Sequence, residues 1–127
     1  MPLSRIVFRL ARNPGAQHAE PDDHRGYMLV APLTADGHLD EAGFEKFRQE
    51  CTVRRFAPDE DAQSGRLTRH GGQWVFRYAT DDNAEEPLFR LKDHRFVLGD
   101  YVSILDGDGE LLTYRVTEVT RLKETAT

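Results

Sequence analysis

The stretch from 94 to 122 constrains the fold more than any other. Tyr101–Leu105 (YVSIL) and 111–122 (LLTYRVTEVTRL) are β-branched and aromatic, and DGDGE separates them. Two such runs around a Gly/Asp turn specify a β-hairpin. Gly99 and Asp100 ahead of the first run mark a tight turn. Much of the chain repeats this pattern of short alternating runs between polar breaks. No motif of comparable specificity points to a chemistry.

Residues 4–12 alternate, with Ile6, Phe8 and Leu10 on one face and Arg5, Val7 and Arg9 on the other, as in a half-buried strand. Residues 13–26, punctuated by Pro14, Gly15, Pro21 and Gly26, read as a loop. A buried strand over 27–33 and a turn over 34–38 follow. The helix expected over 40–51 has Asp40 as N-cap and Leu39 and Phe44 as a hydrophobic staple. Phe44, Phe47 and Cys51 form its apolar stripe, and Lys46 can pair with Glu50 across one turn. Thr52–Ala57 reads as a strand and 58–65 (PDEDAQSG) as a polar loop. Residues 66–79 read as a hairpin closed by Gly71 and Gly72, which sets His70 opposite Gln73, Arg69 opposite Trp74 and Leu67 opposite Phe76. An acidic connection over 80–86 and a strand over 87–92 precede the last hairpin.

These elements predict a mainly β (α+β) chain. The expected form is a small single-domain antiparallel curled sheet or barrel of six to eight strands, with one packed helix plugging an opening. The alternative is an open α+β sheet with the helix across one face. The domain spans 1–122, and 123–127 is a frayed tail. A chain of 127 residues with seven Phe, four Tyr and one Trp can fill a core without disulfide or metal.

A net charge of −5 argues against wholesale attraction to nucleic acid or membranes. The single cysteine excludes an internal disulfide and fits a reducing compartment. Arg5 and Arg9 interrupt the apolar N-terminus, so it does not read as a signal peptide. The expectation is a soluble, cytoplasmic protein.

Candidate site residues come first from the 66–79 hairpin. Segment 64–80 holds three arginines and no acidic residue. Arginine forks suit phosphate and carboxylate. Arg66, His70 and Arg77 share one face with Thr68, Gln73 and Val75, and Arg90 and Lys92 extend it if their strand lies alongside. The plainer reading is a solvated face balanced by Glu85, Glu86 or residues 59–61. On the other face, Trp74, Phe76 and Tyr78 suit base stacking or, given the shared face with Leu67, the core.

Other clusters are weaker. His18, Glu20, Asp22, Asp23 and His24 offer metal-type ligands on what reads as a polar loop, without the spacing of a tetrahedral set. Asp106, Asp108 and Glu110 imitate the start of a calcium loop, but Leu111 stands where the pattern then breaks. Cys51, on an apolar stripe at a helix C-terminus, is poorly placed for a thiolate.

The leading functional expectation is a non-catalytic binding or accessory module, without a cofactor, recognising an anionic group or a partner protein. An exposed edge strand is a further route to a partner or a homodimer. The alternatives are a small enzyme with a site assembled from His18, His24, Asp22, Asp23 and His70, and a nucleic-acid-binding barrel using Arg54, Arg55, Arg66, Arg77, Arg90 and Lys92.

Overall fold

The computed structural model describes residues 3–15, 20–58, 60–70, 73–78, 85–89, 95–105 and 110–122. Eight strands follow one another: β1 (Leu3–Leu10), β2 (Asp22–Pro32), β3 (Thr52–Ala57), β4 (Glu60–His70), β5 (Gln73–Tyr78), β6 (Glu85–Phe89), β7 (Tyr101–Leu105) and β8 (Leu111–Arg121). Each pairs antiparallel with the next, and β1 pairs with β8, so the sheet closes into a barrel in sequence order. Closure overturns the open-sheet alternative. It also leaves β1 and β8 without a free backbone edge along their paired stretch.

The period-2 alternation dictates what fills the barrel. Ile6 and Phe8 of β1, Tyr27 and Leu29 of β2, Leu67 of β4, Phe76 of β5 and Val102 and Ile104 of β7 are 0% exposed. Their rings form one cluster. Phe8 and Tyr27 stack at 5.4 Å, Tyr27 and Phe76 lie 5.3 Å apart, and Tyr114 meets Tyr27 edge-on at 5.1 Å. Such offset and edge contacts suit the ring quadrupoles. The interior is thus a packed core, as small barrels require.

The helix α1 (Glu41–Lys46) lies across the barrel end where β2 leaves and β3 enters. Asp40 caps it as expected, accepting from the Gly43 N–H at 3.1 Å. Phe44 turns inward against Trp74, edge-on at 4.8 Å. The helix is shorter than expected from 40–51. At Phe47 the backbone leaves the helical region (φ −113°, ψ 29°), and Arg48–Glu50 tightens into a 3-10 turn. The ion pair on its wet side joins Glu45 to Arg48.

Two expected loops are strand in part. Residues 22–26 belong to β2, and 60–65 belong to β4. Gly26 and Gly65, within those expected loops, sit where backbones crowd together. A Cβ on Gly26 would lie 2.1 Å from the Phe8 carbonyl oxygen, and one on Gly65 2.3 Å from that of Arg77. A strand glycine of this kind marks close approach between backbones. Of the strand expected over 87–92, residues 87–89 lie in β6, which begins earlier at Glu85 and takes in the end of the acidic connection, while 90–92 lie outside the described residues.

Candidate functional site

The hairpin of β4 and β5 has the register its sequence predicts: Leu67 opposite Phe76, Arg69 opposite Trp74 and His70 opposite Gln73. Leu67, Trp74, Phe76 and Tyr78 are all buried. The aromatics therefore build the core and offer no stacking platform. Val75 departs from the expected polar outer face. It is buried, in register with Thr68 and Pro87.

Arg66 and Arg77 stand directly opposite each other on the outer face, both exposed. Side chains so placed have Cβ atoms about 4.5–5.5 Å apart, and like charges there repel. Arg54 of β3, also exposed, faces Ser64, while Thr52 faces Arg66. Arg54 is therefore the diagonal neighbour of Arg66, roughly 7–8 Å away by sheet geometry. On the other flank Glu85 is in register with Arg77. Three guanidinium groups thus share a patch spanning β3, β4 and β5.

The other expected site residues fare differently. His70 ends β4, two positions beyond Thr68 on the same strand. Arg90 and Lys92 lie outside the described residues. Arg55 alternates with Arg54 and pairs with the buried Tyr27, which removes it from the outer row. Arg69 is structural. It bridges to Glu41 at 2.8 Å and covers Trp74 with its guanidinium 5.2 Å from the ring, tying helix to barrel.

Asp22, Asp23 and His24 are on β2, not in a loop. The Asp22 carboxylate accepts from the His24 N–H at 2.9 Å and lies 3.9 Å from Arg25. His18 lies outside the described residues. Among the described residues no three His, Cys, Asp or Glu side chains converge as metal ligands. Asp106 and Asp108 lie outside them too. Cys51 is fully buried, its thiol donating to the Phe47 carbonyl at 3.3 Å, and burial, with Glu50 nearby, pushes its pKa up to about 11. In the 34–38 turn, bonds from the Thr34 hydroxyl and then His38 hold the Asp36 carboxyl down to about 2.

Among the described residues, two concavities bear on the site question. One, of about 700 Å³ near the helix end, is lined mainly by apolar groups including Leu33, Phe96, Val97 and Val119. The other, of about 480 Å³, lies outside β1 and β8 and is lined by Arg9, Arg12 and Arg115. Sequence reasoning missed this second basic group. Outward alternation marks Arg9 and Arg115 singly, but only barrel closure brings the two ends of the chain together. Among the described residues no helix is long and apolar enough to cross a membrane.

Comparison of the chain with protein-family models, with curated proteins and with solved structures found no match.

Proposed function

We propose that this protein is a non-catalytic binding module that recognises a carboxylate- or phosphate-bearing partner through the outer face of β3–β5. The observation that carries this reading is the direct cross-strand opposition of Arg66 and Arg77, with Arg54 on the diagonal. An anion between two facing guanidiniums accepts charge-assisted hydrogen bonds from both and offsets their mutual repulsion. The packed interior supports the same reading, because aromatic rings occupy the volume in which wider barrels hold a ligand. The net charge of −5 favours a local, geometrically specific contact over general attraction to polyanions. The buried, unpaired Cys51 suits a reducing compartment such as the cytoplasm.

The test is a titration with polyglutamate and with polyphosphate, on the wild type and on the Arg66→Glu/Arg77→Glu double variant. Hydrogen bonds to charged groups contribute roughly 1.5–3 kcal/mol each. Charge reversal should therefore weaken binding of the preferred polyanion at least about tenfold. Equal binding by both proteins would refute the assignment to this face.

A further inference from the structure

Outside β1 and β8, on the other side of the barrel from the hairpin, the structure holds a second and more constructed basic site. Arg9 of β1 faces Arg115 of β8, and Arg115 faces Tyr101 of β7. Phe8, Val102, Tyr114 and Val116 point into the core, so the alternation sends Arg9, Arg115 and Tyr101 outward in one row. Tyr101 is 53% exposed, one of the exposed large hydrophobic side chains among the described residues. Arg12, just past the end of β1, lines the same cleft, as do Asp23 and Thr117.

Two irregularities of the sheet meet at Arg9. On the β8 side, Val7 pairs with Glu118 and Phe8 with Val116, so Thr117 is an extra, bulged residue. On the β2 side, Arg9 pairs with Gly26 but Leu10 with Asp22, which leaves 23–25 out of register. Each irregularity supplies a polar group to the Arg9 guanidinium. Its Nε donates to the Asp23 carbonyl at 3.0 Å and its Nη1 to the Thr117 hydroxyl. Bulges re-aim side chains in this way beside binding sites. The guanidinium is held while its Nη2 group and one Nη1 hydrogen stay uncommitted to these bonds. Arg115 is exposed, and no ion pair within the described residues involves it. Three guanidiniums and the Asp23 carboxylate leave the lining two positive charges, which matches a phosphate monoester dianion. A phosphate fills only a small part of about 480 Å³, and Tyr101 offers a flat apolar surface one strand from Arg115.

We infer that this cleft binds a small organic phosphate monoester bearing a planar ring. The phosphate lies between Arg9 and Arg115 and the ring lies against Tyr101. Asp23 is placed to accept from a hydroxyl of the ligand. The site is independent of the hairpin face.

Isothermal titration of the full chain with phenyl phosphate, adenosine monophosphate and inorganic phosphate tests this. Both ring-bearing esters should bind at least tenfold more tightly than inorganic phosphate. Arg115→Ala should weaken all three at least tenfold. Tyr101→Ala should bring the esters down to the level of inorganic phosphate while leaving the latter unchanged. Both residues are exposed, so these variants should keep the thermal midpoint of the wild type, and Arg115→Lys, which retains charge without the planar fork, should fall between. Arg66→Glu/Arg77→Glu should bind the esters like the wild type, which separates failure here from failure of the hairpin reading. Binding of none of the three, equal affinity for ester and inorganic phosphate, or insensitivity to Arg115→Ala would overturn the proposal.

Discussion

Cys51 shows how a single residue can look reactive in sequence and be inert in the fold. Its side chain is sealed at the junction of the 3-10 turn and β3, with its hydrogen committed to Phe47. Burial favours the neutral thiol, so the folded pKa of about 11 lies above the ordinary 9.0. The sign follows directly. A raised folded pKa gives stability that is complete below about pH 9 and lost as pH climbs through 11. Two units correspond to roughly 2–3 kcal/mol. Urea unfolding of the wild type and Cys51→Val between pH 8 and 11 should show the wild type losing about that much relative to the variant. Parallel curves would mean the thiol is not sealed. Gly26 and Gly65 teach the converse lesson. Their sequence neighbourhoods read as turns, yet each glycine is a point of backbone contact inside a strand, where any Cβ would collide with a carbonyl oxygen.

At the scale of elements, legibility follows burial. β3, β7 and β8 could be read nearly to the residue, because one face of each is core and the other is wet, which imprints a period of two. The start of β4 could not. Residues 61–64 are all exposed, so no apolar partner marks the alternation there, and the start of β2 (Asp22–Arg25) is likewise free of apolar residues. The helix announced its beginning through Asp40 but not its end, because the break at Phe47 serves the packing of Cys51 rather than any local propensity. The cap is a real determinant of this short element. Asp40→Ala removes the bond to Gly43 and should cost about 1 kcal/mol in chemical denaturation. A loss below about 0.3 kcal/mol would place the stability of α1 wholly in the Phe44–Trp74 contact. The hairpin face was legible because the Gly-Gly pair in the sequence and the alternating runs beside it imply the register that β4 and β5 adopt. The Arg9–Arg115 cleft was not, because its two strands are the first and last of the barrel and nothing local encodes their pairing.

The molecule is an acidic chain whose described residues include two arginine clusters on a closed, ring-filled barrel. Filling the interior leaves the outside for the recognition we propose, and closure supplies a rigid surface on which outward side chains keep fixed neighbours. Arg54, Arg66 and Arg77 use that surface across β3–β5, and Arg9 and Arg115 use it across β1 and β8. The central claim, that the hairpin face recognises an anion, is tested most directly by the thermal unfolding midpoint. The wild type and Arg66→Glu/Arg77→Glu would be scanned against polyglutamate, polyphosphate and phosphorylated peptides. A ligand at about 100 times its dissociation constant adds roughly 2.7 kcal/mol, several degrees for a domain of this size. The account predicts such a rise for at least one of these anions with the wild type and its disappearance in the double variant. No rise with any of them, or the same rise in both proteins, would contradict it.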